Sequence, residues 1–163
     1  MTTISYPSDR TPGPVPVSVD VPDGWLVEPA PDVAFVAASP EETDGVHVNA
    51  VVAVRRVPAG TTAAELAAAL AEDAGDLEGV TVSEVTPVRL GDHDGALVTV
   101  TFSDPAATEV VASETVRQLQ AVCVVPVAEH VADAVSVSVT YPGSADAEQV
   151  RGYEELVGSL RAG

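Results

Sequence analysis

Apolar and polar residues alternate with a period of two along much of this chain. Val15, Val17, Val19 and Val21 stand against Pro16, Ser18 and Asp20, the pattern of a half-buried β-strand whose successive side chains point to opposite faces. Pro16 has no N–H to give to a ladder, which places this strand at a sheet edge or makes Pro16 a strand start. Pro22-Asp-Gly-Trp25 then ends it in a tight turn. Val33–Ala38 reads as a short second strand, followed by an acidic loop with Glu41, Glu42 and Asp44. Val46–Val57 is the longest clear strand. Val46, Val48, Ala50, Val52 and Val54 share one face, and His47, Asn49 and Arg55 share the other.

The period then changes. Thr62 and Glu65 have capping-box spacing ahead of Leu66 and Leu70, and Ala63, Leu66, Ala67, Leu70 and Ala74 make an apolar stripe at helical spacing. A helix lying on a sheet is expected there. Val80–Leu90 and Ala96–Ser103 read as a hairpin around Gly91-Asp-His-Asp-Gly95. Val110–Val125 is too long for one uninterrupted strand, and its apolar parity switches near Val116–Leu119, which predicts a bulge or bend. Val135, Val137, Val139 and Tyr141 give the cleanest alternation in the chain. Ser144 is expected to cap a C-terminal helix with Val150, Tyr153, Leu156, Val157 and Leu160 on one face.

The order βββ-α-ββββ-α predicts an α+β fold: a largely antiparallel sheet of about six to seven strands covered by two helices. A single domain over 15–163 fits the length. Seven of the 13 prolines fall within the first 31 residues, so residues 1–14 are expected to form a flexible N-terminal arm. No internal repeat or low-complexity block is present.

Composition narrows the function classes. The 163 residues carry 7 basic and 25 acidic side chains, a formal charge of −18, and every basic residue is Arg. Binding to nucleic acid through phosphate contacts needs a basic footprint, which is absent. Disorder is also excluded as a description of the whole chain, because 46% of the residues are hydrophobic. With 32 Val, 25 Ala, 9 Leu and only 6 aromatics, the core must be built from small side chains. The acids are spread from Asp9 to Glu155, as on a solvated surface; the functional alternative is an acidic face steering a basic partner. Residues 1–10 show neither the basic start nor the apolar run of a secretory signal, and no apolar run approaches the roughly 18 residues of a membrane span. A cytoplasmic location is expected, as a monomer or weak dimer.

Few residues point to chemistry. His93 lies between Asp92 and Asp94, so a carboxylate-supported base or one corner of a metal site is conceivable, although turns favour Asp and Gly on conformational grounds alone. His130 has no second histidine or cysteine near it in sequence. Cys123, the only cysteine, sits in a Val-rich strand and reads as a small buried hydrophobe. Trp25 reads as packing for a corner of the fold. Zinc-protease spacing, a phosphate-binding loop, a dinucleotide fingerprint and a nucleophile elbow are all absent. No catalytic residue, metal site or cofactor is assigned. The polar residues His47, Asn49 and Arg55 on an otherwise Val-rich strand are the candidate ligand- or partner-binding surface.

Val17-Ser-Val-Asp-Val-Pro-Asp-Gly-Trp25 resembles the opening of PsbP-like domains, which start with a strand ending in Pro-x-Gly-Trp. The likeness continues through Asn49 in the third strand, Arg56-Val-Pro-Ala-Gly-Thr-Thr62 before the helix, and the Leu90–Gly95 hairpin. It ends with Val137–Pro142 before the last helix, where Tyr153 and Leu160 fit the closing pattern. The superfamily includes the extrinsic PsbP subunit of photosystem II, a Ran-binding import factor and actinobacterial lipoproteins of the LpqN type, to which the chain is most similar. LpqN-type proteins carry a lipoprotein signal and an acylated Cys, and neither is found here. The resemblance implies an α/β/α sandwich without enzymatic activity, binding a protein or small ligand through a sheet face or helix–sheet groove. It supplies no catalytic motif. The alternatives are an acidic chaperone or immunity-like protein masking a basic partner, and a metal-dependent hydrolase using His93 with Asp92 or Asp94.

Overall fold

The computed structural model of the chain describes residues 7–8, 12–103 and 114–163. In chain order it comprises β1 (Val17–Ser18), β2 (Leu26–Glu28), β3 (Phe35–Thr43), β4 (Val46–Pro58), α1 (Ala63–Gly75), β5 (Val80–Val82) and β6 (Thr86–Leu90). These are followed by β7 (His93–Phe102), β8 (Val116–Ala128), β9 (Val131–Pro142), α2 (Ala147–Gly158) and β10 (Arg161–Ala162). Eight strands form one antiparallel sheet in the order β2-β3-β4-β9-β8-β7-β5, with β6 also paired to β7. This is the α+β fold expected from the alternation, with more strands than the six to seven anticipated.

Strand alternation divides the sheet into two covered faces. On one, Val48, Ala50 and Val52 of β4, Val135, Val137 and Val139 of β9, and Leu119, Ala121 and Cys123 of β8 are buried with Leu156, Val157 and Leu160 of the α2 region. Val15, Val17, Val19, Val21 and Trp25 pack against this same core. The opposite face carries Val57, Ala132 and Ala134, against which Leu66 of α1 packs. Covering both faces makes an α/β/α sandwich.

Several elements differ from expectation for identifiable reasons. The Val15–Val21 alternation forms only the short β1, which pairs with β10 in a separate two-stranded ribbon and not with the sheet. The loop expected after Val33–Ala38 is instead strand as far as Thr43. Its turn is Asp44-Gly45, with φ of 47° and 77°, between the paired residues Thr43 and Val46; positive φ at both positions is the type I′ hairpin geometry that Asp-Gly favours. The bend expected at Val116–Leu119 is absent: β8 pairs regularly with β9 from Val116 to Pro126, and the register shift falls between Pro126 and Ala128. Both faces of β8 are covered, so an apolar residue of either parity suits it, whereas Pro126 has no N–H for the ladder. Residues 110–113 of that expected strand lie outside the described residues.

The expected hairpin around Gly91–Gly95 is present but tighter, with Leu90 paired to His93 and Gly91 at φ 58°. Its first arm is split into β5 and β6, both on β7. Helix α1 starts as its sequence predicts: the Glu65 N–H donates to Thr62 Oγ1 at 3.2 Å, and the Thr62 N–H donates to Glu65 Oε2 at 2.8 Å. Helix α2 is capped by Asp146, not Ser144; Asp146 Oδ1 accepts from Glu148 and Gln149 N–H groups at 2.9 Å. The Ser144 hydroxyl donates to Asp44.

Most of the expected arm over residues 1–14 lies outside the described residues. Where it is described, the carbonyls of Pro12 and Gly13 accept hydrogen bonds at 3.1 Å from the two terminal nitrogens of Arg56. Among the described residues no helix is long and apolar enough to cross a membrane.

Candidate functional site

The odd-numbered positions of β4 and the even-numbered positions of β9 and β8 form the face toward α1. Cross-strand register lays them out in rows: Asn49, Thr140 and Gln118; then Val51, Ser138 and Gln120; then Ala53, Ser136 and Val122. Small and neutral polar side chains dominate, and these positions are half-buried. Helix α1 packs chiefly over β5, β7 and β8, so it does not cover the whole face. Between the helix and the strands lies a cleft of about 480 Å³, within the range of small-molecule sites, which are concave and mostly apolar with a few placed polar groups.

Leu66, Ala67 and Leu70 supply the helix wall, with Val98, Val122 and Ala134 on the sheet side. Ser136 and Gln120 provide neutral hydrogen-bonding groups, and Gln120 Nε2 donates to Gln118 Oε1 along β8. Three charged side chains also line the cleft: Arg55 from β4, Asp32 from the segment before β3, and Asp73 from α1. Among the described residues no ion pair joins Arg55 to either of them. Directly across from Arg55, β9 offers only Ala134.

Of the three residues singled out from the sequence, only Arg55 lines this cleft. Asn49 lies on the same face six residues away, about 20 Å along an extended strand, and its Nδ2 donates to the His47 carbonyl at 3.0 Å. His47 sits farther toward the β3–β4 turn, well exposed, with Nε2 3.1 Å from Glu42 Oε1. Strand parity puts Asn49 and Arg55 on one face with His47, and the structure spreads the three along a 13-residue strand. Ser136, Gln120 and Asp73 were not anticipated. Only strand register and helix placement bring them beside Arg55, and neither is encoded in local periodicity.

The other candidates lie away from this cleft. His93 lies within β7, its Nε2 3.0 Å from the Ala162 carbonyl. Asp94 accepts from Arg89 Nη1 at 2.7 Å, and adjacent positions of a strand point to opposite faces. His130 is exposed in the β8–β9 turn. Among the described residues no group of three His, Cys, Asp or Glu side chains is arranged to hold a metal ion. Cys123 is buried, and burial pushes its thiol up to about 11. Trp25 packs against the core, as expected of a corner residue.

No known protein family and no curated protein sequence matches this chain. Solved structures do. The crystal structure of LpqN, involved in cell envelope biogenesis of Mycobacterium tuberculosis, superposes with a TM-score of 0.71 at 13% identity, covering 93% of this chain and 85% of LpqN. The solution structure of the cyanobacterial PsbP, CyanoP, from Synechocystis superposes with a TM-score of 0.59 at 12% identity, covering 92% and 93% respectively. Both superpositions show that the chain has the PsbP-like fold, with the tighter of these two fits to LpqN.

Proposed function

We propose that the protein is a non-enzymatic binding module that takes a small, largely apolar ligand in the cleft between α1 and the sheet. The observation that carries this reading is the cleft itself: about 480 Å³, walled by Leu66, Leu70, Val122 and Ala134, beside a polar sheet face that no helix fully covers. Burying an apolar ligand there gains roughly 25 cal/mol per Å² removed from water, while Ser136, Gln120 and Arg55 orient its polar end. The role in cell envelope biogenesis given for LpqN fits an accessory module of this kind.

A neutral apolar fluorophore, N-phenyl-1-naphthylamine, tests the reading. It should bind the purified protein saturably, and Ala69→Trp should abolish binding, because Ala69 is an exposed α1 residue at the cleft whose enlargement fills the space without touching the core. Equal binding by the Ala69→Trp variant would overturn it.

One further observation favours a second reading, a module that masks a basic partner. Strand β2 is an edge of the sheet and exposes Leu26 by 60% and Val27 by 55% beside Glu28, in a chain of net charge −18. Exposed strand edges accept an extended segment through main-chain hydrogen bonds. Such a complex should weaken steeply between low and moderate salt, whereas occupancy of the apolar cleft should not.

A further inference from the structure

The charges in the cleft specify its ligand more closely. Arg55, Asp32 and Asp73 all line it, one cation and two anions, and among the described residues they form no ion pair with one another. In a chain with 25 acidic and 7 basic residues, two of the described arginines are paired with a carboxylate, and Arg55 is not one of them. Arg56 pairs with Asp133 and Arg89 with Asp94, while Arg161 is turned onto backbone carbonyls. Arg55 instead borders an apolar space, with a planar fork suited to a carboxylate. A purely anionic ligand would face Asp32 and Asp73 across the same cleft, and a purely cationic one would face Arg55. A ligand bearing both charges satisfies all three.

Resting on the cleft reading above, we propose that the ligand is a small apolar zwitterion, an apolar amino acid or short peptide with free ammonium and carboxylate ends. Arg55 receives the carboxylate, Asp32 and Asp73 together hold the ammonium, and the apolar side chains lie against Leu66, Leu70 and Val122.

Isothermal titration with leucyl-leucine, its N-acetyl derivative, its C-terminal amide and the doubly blocked form tests this, in moderate salt so that the −18 net charge is screened beyond about 8 Å. The free dipeptide should bind at least tenfold tighter than any blocked form. Arg55→Gln should lower dipeptide affinity at least tenfold and leave the amide unchanged. The Asp32→Asn, Asp73→Asn double variant should do the same for the dipeptide and leave the N-acetyl form unchanged. All three positions are exposed, and an unchanged melting temperature verifies the fold of each variant. If the doubly blocked form binds as tightly as the free dipeptide, the zwitterion assignment is overturned while the apolar cleft stands. If no dipeptide binds but the neutral fluorophore does, the ligand class is again wrong and the cleft reading survives. If neither binds, both fall.

Discussion

Asp133 and Arg56 face each other across the β4–β9 ladder and form a two-point ion pair. Arg56 Nε donates to Asp133 Oδ1 at 2.7 Å, and Arg56 Nη2 donates to Oδ2 at 3.2 Å. Asp133 is only 1% exposed, and its Oδ2 also accepts from the Val15 N–H at 2.9 Å. The same guanidinium reaches the Pro12 and Gly13 carbonyls. One buried carboxylate and one arginine thus tie the segment entering β1 to the centre of the sheet.

Removing one partner of a buried pair leaves the other uncompensated, at about 3–5 kcal/mol. Because Arg56 keeps contact with solvent at its outer edge, Asp133→Ala should fall near the lower figure, about 3 kcal/mol, measured as a shift of the urea midpoint with unchanged slope. Val15→Ala should cost much less, since its N–H is retained.

The pair also sets a pH dependence. Burial alone would raise the Asp133 carboxyl, but the Arg56 hydrogen bonds, the Val15 N–H and the Arg56 charge outweigh it and hold the group below its ordinary value. A folded pKa below the unfolded one means that the unfolded state binds the proton more readily. The stabilisation is therefore complete above the ordinary aspartate value of about 3.9 and is lost as pH falls through the lower, folded value. Acid unfolding followed by circular dichroism should show wild type resisting more acidic conditions than Asp133→Asn, with the two curves differing by a constant amount near neutrality.

Much of the sheet was legible because valine alternation reports directly on burial: β4, β7 and β9 fall where the pattern puts them. Helix α1 was legible because its capping box and apolar stripe are local. The rest depends on long-range pairing. Val15–Val21 has strand periodicity, yet its N–H and C=O groups are met largely outside the sheet, so periodicity alone could not reveal its ribbon with β10. Asp133 carried an overlooked signal, a carboxylate in phase with Val135, Val137 and Val139, and such a residue in a core face demands a cation. Parity puts Arg56 on the core face of its strand and Arg55 on the other, but that Arg56 is the partner of Asp133 follows only from the β4–β9 register.

Gly95 is buried in β7 at a point of close approach. A Cβ there would meet Leu90 Cδ1 at 2.8 Å and the Val122 carbonyl oxygen at 2.9 Å. The leucine can shift but the backbone oxygen of a central strand cannot, so Gly95→Ala should destabilise by about 1–3 kcal/mol through overpacking. At Gly75, where a Cβ meets nothing within 4 Å, the same change in the last turn of α1 should be neutral or stabilising. Paired thermal melts distinguish the two positions.

Capping of α2 offers a direct comparison of two neighbouring residues. Asp146 accepts two orphan N–H groups of the first turn, and Gln149 returns a contact from its Oε1 to the Asp146 N–H at 2.9 Å. Asp146→Ala should cost about 1 kcal/mol. Ser144→Ala removes only an exposed contact to Asp44 and should cost much less. If Ser144→Ala proved the costlier change in chemical denaturation, the helix would start earlier than Asp146.

Cys123 provides a probe of opening. It is fully buried between the sheet and α2, and burial lifts its thiol to about 11. The thiolate is the reactive form, so at about pH 8 roughly one thiol in a thousand would be ionised even if reagent reached it. Ellman's reagent should therefore react with native protein only through opening, and promptly with unfolded protein. The logarithm of the native labelling rate should rise in Asp133→Ala in proportion to its lost stability if exposure of Cys123 requires global unfolding. A native rate equal to the unfolded rate would mean that α2 does not cover this part of the sheet in solution.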